Sequence, residues 1–314
     1  MKNDTLIAIP SYKRGTGPTT MGQLAVCGIA EKYDIKMFIY EEEPEKKDYY
    51  ERLELTKEKM VKRNMLDSVK RMEIVEIPKE VIPKPNLCTK RQYLLDYAKK
   101  NGYKYVYMMD DDLIICSQYN TVDKIIKKSK RLMKLNRRLA ATNVAFNESR
   151  YAKYGKYEKN DLCCVNIFFN LDRMYYYCNE HDYKYGIKSP IIYNPKSKVD
   201  DLSISLDLLS KGWDTLRMNE FVVCNQLRDV RSDKKNSNSG LSYRFEGAKD
   251  ENGNPMNKIQ VETKSLQDEY PDAKKYIYCI PERNKFVFEY WEYDNYRREG
   301  VRGEYNAKHI KWGK

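Results

Sequence analysis

The sequence predicts an α/β fold built on a layered, mostly parallel sheet, and three observations predict it. Short apolar runs alternate with charged stretches of helical patterning along the first 220 residues. The run from Tyr103 to Met109 is apolar and aromatic almost throughout, as a strand buried on both faces must be. That run ends abruptly in Asp110-Asp111-Asp112, which places chemistry at the carboxyl end of a strand, where open α/β sheets border their ligand crevice.

Taken in order, Thr5 to Pro10 is the first expected strand, and Ser11-Tyr12-Lys13-Arg14-Gly15 turns out of it. Gly15, Gly17 and Pro18 open a loop, and Thr19 or Thr20 caps a helix expected to run to about Lys32. Ile35 to Tyr40 is the second strand, residues 41–70 are largely helical, and Arg71 to Ile77 is the third strand. Pro78, Pro83 and Pro85 hold a loop open ahead of a helix over Thr89 to Lys100. Its Tyr93, Leu94, Tyr97 and Ala98 recur at helical spacing and Gly102 stops it.

Beyond the acidic strand, Val122 to Leu139 reads as a strongly basic amphipathic helix and Leu162 to Asn170 as a strand. Val199 to Lys211 reads as a helix closed by Gly212, and Trp213 to Met218 and Phe221 to Cys224 as two short strands. From Arg228 the character changes to charged and glycine-containing loops, 228–238 and 246–257. An aromatic stretch, 276–291, precedes a basic tail from Tyr296 to Lys314.

The 314 residues suffice for one large domain, or for a catalytic domain with an appendage. The 28 tyrosines offer core area at one edge and hydrogen bonds at the other. Lys and Arg number 58 against 46 Asp and Glu, a formal net charge of +12 that favours a polyanionic partner or an acidic membrane surface. No apolar stretch is long enough to span a bilayer, so membrane insertion is not expected. Eight cysteines without a CxxC pair, and only two histidines, disfavour a zinc site and suit reduced core residues of a cytoplasmic protein.

Three adjacent carboxylates repel one another, so the fold must separate, solvate, protonate or metal-bind them. A hard divalent cation is one solution, with Asp110 and Asp112 acting together through a short turn and Asp111 pointing elsewhere. Lys13 and Arg14 leave the first strand where an anion would sit. Neither GxGxxG nor GxxxxGK[ST] follows that strand, which argues against dinucleotide oxidoreductases and P-loop NTPases. Arg91 lies on the helix before the acidic strand, suited to pairing with carboxylates or gripping a diphosphate. Asp200 and Asp201 open a helix with the stripe Leu202, Leu206 and Leu209; each is open to reading as a helix cap or as a general base facing the cleft. His309 either completes a metal shell begun by Asp110 and Asp112 or is one polar residue of a basic tail.

Ile-Pro-Ser-Tyr-Lys-Arg at 9–14, Thr-Lys-Arg-Gln at 89–92, Met-Asp-Asp-Asp at 109–112 and Asp-Asp-Leu-Ser-Ile-Ser-Leu-Asp-Leu-Leu-Ser-Lys-Gly at 200–212 resemble, in order and spacing, the signature of GT-A fold glycosyltransferases. They are most similar to the branch associated with hypermodified DNA bases in phages and kinetoplastids. The resemblance spans roughly residues 5–220. It implies a nucleotide-diphospho-sugar transferase with a Rossmann-like mixed sheet: a catalytic domain over 1–225 and a C-terminal acceptor-binding or lid region over 226–314. It further implies a DxD-like site in which Asp110 and Asp112 hold Mn²⁺ or Mg²⁺ against the diphosphate of a UDP-sugar. Pro10, Ser11, Tyr12, Arg14, Arg91, Asp110 and Asp111 would line the nucleotide side, and Asp201, with Asp200 as neighbour, would be the base. Arg91-Gln92 departs from the usual Arg-Asn, and Asp200-Asp201 from the usual Glu-Asp.

DNA is the expected acceptor-bearing partner. Lys124, Lys127, Lys128, Lys130, Arg131, Lys134, Arg137 and Arg138 crowd one expected helix and, with the tail, can cover a run of phosphates. Arg231 and Arg244 bound the candidate groove-entering loop, and Tyr175, Tyr176, Tyr177, Tyr243 and Phe245 are aromatics on which an extruded base could stack. The resemblance implies a hydroxylated pyrimidine, 5-hydroxymethylcytosine or a derivative, as acceptor. A transferase for surface or lipid-linked glycans and a non-catalytic nucleic-acid-binding protein are the competing readings.

Overall fold

In this computed structural model the described residues are 3–15, 19–115, 121–146, 156–160, 163, 166–175, 191–193, 200–225, 248–280, 282, 285–289 and 292–293. The chain begins with β1 (Thr5–Pro10), α1 (Thr20–Val26), β2 (Asp34–Tyr40), α2 (Lys46–Lys62), α3 (Leu66–Lys70) and β3 (Met72–Ile77). Then come α4 (Leu87–Lys100), β4 (Tyr105–Met109), β5 (Leu113–Ile114), α5 (Thr121–Leu135), β6 (Leu139–Phe146), β7 (Tyr157–Lys159), β8 (Asn166–Asn170) and α6 (Leu171–Met174). The described elements end with α7 (Asp200–Ser210), β9 (Asp214–Asn225), α8 (Lys258–Glu269), β10 (Ile277–Ile280) and β11 (Lys285–Phe288).

Nine strands form one mixed sheet in the order β3-β2-β1-β4-β8-β6-β9-β5, with β7 also paired to β9. The first four strands of that order are mutually parallel. Beyond β4 the sheet changes character, because β8 runs antiparallel to both β4 and β6 while β6 and β9 are parallel. Half of the pairings are therefore antiparallel, fewer parallel ones than the alternating pattern alone predicts.

The strands alternate between two cores. Ile7 and Ile9 face the side covered by α1, α2 and α5, whereas Leu6 and Ala8 face α4, α6 and α7. All six residues of β1 are buried, which explains why its sequence shows no polar alternation. A third, smaller core joins Leu206 and Leu209 of α7 to Leu266, Tyr270, Ala273, Tyr276 and Ile277 of the C-terminal elements. The helix α7 is thus packed on two sides, and none of its eleven residues is exposed.

Four local expectations change. The helix expected to reach Lys32 ends at Val26, since Gly28 takes φ 69° and a 3₁₀ turn follows over Ile29–Glu31. The basic helix expected to reach Leu139 stops at Leu135, and Leu139–Phe146 is instead the central strand β6. The two short strands expected over 213–224 are one strand, β9, whose register against β6 shifts between Val144 and Ala145. The helix α8 follows a stretch read only as loop, and Asn257 and Gln260 close it with reciprocal capping bonds.

Candidate functional site

The site is assembled where the carboxyl ends of β1 and β4 meet the N-terminus of α7. Ser11, the first residue after β1, holds the turn to the sheet by donating its N–H to Phe38 O at 3.1 Å. Three of the N–H groups that follow are claimed: Lys13 by Glu43 Oε1 at 2.8 Å, Arg14 by the Tyr49 hydroxyl at 2.9 Å, and Gly15 by Glu45 Oε2 at 2.5 Å. Lys13 takes φ 53°, a conformation costly for a residue with a Cβ, and the three anchored amides hold it there. A side chain at Gly15 would meet Asp48 Cβ at 2.7 Å and Glu45 O at 2.8 Å, so α2 approaches the turn too closely for anything larger.

The acidic triplet is fixed through α1. Asp111 O accepts from the N–H groups of Thr19 and Thr20 at 2.9 and 3.2 Å. The Thr20 hydroxyl donates to Asp110 O at 2.7 Å and accepts from Leu113 N–H at 2.9 Å. The three side chains then separate. Asp111 turns inward, accepts a short hydrogen bond from Ser11 Oγ and pairs with Arg14 Nη1 at 2.7 Å. Asp112 meets the same Arg14 Nη1 at 2.8 Å. Asp110 goes the other way, to Arg91 Nη2 at 2.9 Å.

Arg91 is the hub. Its Nε lies 2.6 Å from Asp200 Oδ2 and its Nη1 2.7 Å from Asp201 Oδ1, so one guanidinium touches Asp110, Asp200 and Asp201. Arg91 side-chain exposure is only 3%, which removes solvent from the competition. Burial works against its charge, yet Asp200, Asp201 and Asp110 outweigh that cost and raise its pKa well above the ordinary value. Asp110 is pushed well up by burial, opposed by Arg91 and reinforced by Asp201, Asp200 and Asp112. Burial also raises Asp111, against the pull of Arg14.

Five carboxylates (Asp110, Asp111, Asp112, Asp200 and Asp201) therefore face two guanidiniums. Carboxylate oxygens are the hard donors that Mn²⁺ and Mg²⁺ take. No ready-made group of three or more metal-binding side chains exists among the described residues. Asp110 and Asp112, expected to act as one pair, are drawn to different arginines, and His309 lies outside the described residues.

The structure adds residues that sequence reasoning did not single out. Lys90, next to Arg91 on α4, is buried; its Nζ donates a short hydrogen bond to Ser11 O and lies 3.8 Å from the centroid of the Tyr40 ring. Desolvation pushes Lys90 down to about 7, against the favourable charges of Glu43 and Asp111. Glu43 is also buried and raised by burial, and its Oε2 has no hydrogen-bond partner. The signal for Lys90 and Arg91 was present in the sequence: both cations occupy positions on the face of α4 that also buries Leu94, Leu95 and Ala98.

Gln92 and Tyr193 form the other addition. Three successive N–H groups are bound by three different elements: Ile191 by Met174 O at 3.0 Å, Ile192 by Asp207 Oδ2 at 3.1 Å, and Tyr193 by Gln92 Oε1 at 3.0 Å. This brings the buried Tyr193 phenol beside Arg91, with Met108 Sδ 3.8 Å from both the hydroxyl and Arg91 Nη1. Nothing short of the tertiary arrangement reveals this strap.

The basic helix is partly neutralised. Lys127 pairs with Asp123 at 2.8 Å, Lys128 with Glu220, and Lys130 with Asp4 at 2.5 Å. Lys124, Arg131 and Lys134 are exposed, as is Arg137 just after α5. Arg231 and Arg244 lie outside the described residues, as do Tyr176, Tyr177, Tyr243 and Phe245. Tyr175 does not stand ready to stack on a base: it packs against the α4 core and donates its hydroxyl to Asp96.

A mixed sheet in which the ends of β1 and β4 meet the N-terminus of α7 at a carboxylate cluster is the architecture of a GT-A fold protein. The mannosyltransferase PcManGT from Pyrobaculum calidifontis, solved with GDP-Man and Mn²⁺, superposes with a TM-score of 0.50 at 8% identity, over 96% of this chain and 71% of that one. S. aureus TarS 1-349 gives a TM-score of 0.44 at 10% identity, over 88% and 73%, and UDP-glucose pyrophosphorylase with UDP-glucose gives 0.39 at 6% identity, over 68% and 90%. A search of curated protein sequences found no match. The profile of the family described as TET-Associated Glycosyltransferase matches residues 71–231, and the chain belongs to that family. No helix among the described residues is long and apolar enough to cross a membrane.

Proposed function

We propose that the protein transfers a sugar from a UDP-sugar to the hydroxyl of a modified pyrimidine in DNA, 5-hydroxymethylcytosine or a derivative, with Mn²⁺ or Mg²⁺ assisting. The observation that carries the reading is the Arg91 guanidinium, which ties Asp110 at the donor end to Asp200 and Asp201 at the start of α7. In this mechanism Asp201 takes the proton of the acceptor hydroxyl as its oxygen bonds to the sugar C1. The bond from C1 to the diphosphate breaks, and its electron pair leaves with the nucleotide. Arg14 and Arg91, the cations paired with the acidic triplet, would stabilise the developing negative charge. When bound, a divalent cation held by Asp110 and Asp112 would supply further charge to the departing diphosphate.

Nucleotide recognition falls to the turn after β1. Pro10, Ser11 and Tyr12 form one wall of the nucleotide side. DNA as acceptor rests on the family's TET-associated description and on the exposed Lys124, Arg131, Lys134 and Arg137, with Lys127, Lys128, Arg231 and Arg244 as further contacts. Residues 226–314 form the acceptor-side region, and the part that packs on α7 anchors it.

The test incubates the protein with labelled UDP-sugars, Mn²⁺ or Mg²⁺, and a panel of unmodified DNA, hydroxymethylated DNA, RNA and lipid-linked sugars. Digestion of the nucleic acid to nucleosides followed by mass spectrometry identifies base and sugar together. Transfer to hydroxymethylated DNA alone is the expected result. Transfer to a lipid-linked acceptor and to no DNA would overturn the acceptor assignment.

A further inference from the structure

Arg14 stands where competing cations would meet. A single nitrogen, Nη1, lies 2.7 Å from Asp111 Oδ1 and 2.8 Å from Asp112 Oδ2. Burial opposes its charge, but Asp111 and Asp112 outweigh it and raise its pKa. The backbone that carries this side chain is fixed through the Tyr49 hydroxyl, and the loop that carries the carboxylates is fixed through Thr20. The two partners are therefore held in register by independent anchors. The Arg14 side chain keeps 25% exposure, so it is not enclosed by protein on every side. Arg91 is different: at 3% exposure and with carboxylates on Nε, Nη1 and Nη2 it has nowhere to go.

We propose that Arg14 is a cationic placeholder at Asp112, one that makes divalent-metal binding conditional on the donor diphosphate. This rests on the metal-assisted reading above. A guanidinium and a divalent cation repel each other and cannot share one carboxylate oxygen without a large electrostatic cost. In the nucleotide-free protein the Arg14 guanidinium neutralises Asp111 and Asp112 through Nη1 and disfavours metal. A diphosphate offers Arg14 an alternative anion of matching geometry, so its guanidinium moves to phosphate oxygens and away from Asp112. Because the coupling is reciprocal, metal tightens nucleotide by the factor by which nucleotide tightens metal. The device would keep the acidic site from accumulating metal without substrate.

The experiment measures Mn²⁺ affinity of the full chain by electron paramagnetic resonance, with and without UDP, so that turnover is not the readout. Wild type is expected to bind Mn²⁺ roughly tenfold or more tightly with UDP than without, within the usual span of binding couplings. Arg14→Gln is expected to bind Mn²⁺ more tightly than wild type when UDP is absent, and to lose most of the enhancement by UDP. Arg14→Lys, which keeps the charge but not the fork, should lie between them and serves if the glutamine variant fails to fold. Wild-type affinity that does not respond to UDP, or a folded Arg14 variant with unchanged or weaker UDP-free affinity, would overturn the placeholder while leaving the metal site standing. No Mn²⁺ binding by wild type even with UDP would overturn the metal-assisted reading and the placeholder together.

Discussion

Asp110 and Asp201, ninety-one positions apart, bind the same guanidinium: Arg91 Nη2 lies 2.9 Å from the first and Nη1 2.7 Å from the second. The donor-side carboxylate and the candidate base are thereby held at a spacing set by a planar, rigid group rather than by either backbone alone.

Asp201→Asn separates a base from a helix cap. As the base, its loss should lower the single-turnover rate by about 10²–10⁴-fold while UDP-sugar binding persists. As a cap, the cost would be about 0.5–2 kcal/mol of stability with specific activity retained. Melting and single-turnover rate measured on the same preparation distinguish the two.

Arg91→Lys should be far from conservative. An ammonium cannot meet three carboxylates at once, and breaking a buried ion cluster typically costs about 3–5 kcal/mol. A substantial loss in a urea or thermal melt is expected, with transfer falling further than Tyr12→Ala would cause. A variant as stable as wild type would show that the cluster is not held by Arg91.

Lys90 gives a pH signature. Its folded pKa, about 7, lies below the ordinary value of 10.5. Between those values the unfolded chain carries a proton that the folded chain lacks, so stability rises with pH across that window, by at most about 1.4 kcal/mol per unit. Below pH 7 the burial cost is present in full. Lys90→Met should therefore stabilise most near pH 7 or below and lose its advantage progressively as pH rises towards 10.5. Melts of both proteins over this range test it, and a pH-independent difference would count against a titrating Lys90.

Tyr193→Phe removes only the phenolic oxygen beside Arg91. It is expected to lower kcat by several-fold with the KM for UDP-sugar unchanged. Gln92→Asn, too short to reach the Tyr193 N–H, should reproduce that split. Loss confined to stability, with kcat intact, would make the strap purely structural.

Reversing Lys124, Arg131 and Lys134 to glutamate should weaken DNA binding across sequences and flatten its salt dependence, each lost phosphate contact reducing the slope by about 0.9. Hydrolysis of UDP-sugar should survive. An unchanged salt slope would move the DNA contact to another face.

Much of this was legible in the linear chain. β1 was readable because a strand buried on both faces carries an unbroken apolar run, β2 and the edge strand β3 because short apolar runs persist around Lys36 and between Glu73 and Glu76, and the Asp110-Asp111-Asp112 break marked the site. The Asn-x-x-Gln capping box that opens α8 is a sequence-level signal masked by the Gly253 and Pro255 that precede it. Other features needed three dimensions. The division of the triplet between Arg14 and Arg91 depends on which strands become neighbours. So does the meeting of Gln92 with Tyr193, which lies 101 positions away. The boundary between α5 and β6 was obscured because Leu135 and Leu139 continue a helical spacing across Asn136, whose side chain instead accepts the Arg138 N–H.

The helix α7 touches one core through Ile204 and Leu208 and another through Leu206 and Leu209. A helix clamped from both sides behaves as an anvil: it can neither slide nor rotate without opening two cores at once. The carboxylates at its tip then need little reorganisation when charge moves during a reaction. Adaptation to a different acceptor must accordingly come from the loops around α7, while substitutions within it would be screened for shape before they were screened for chemistry.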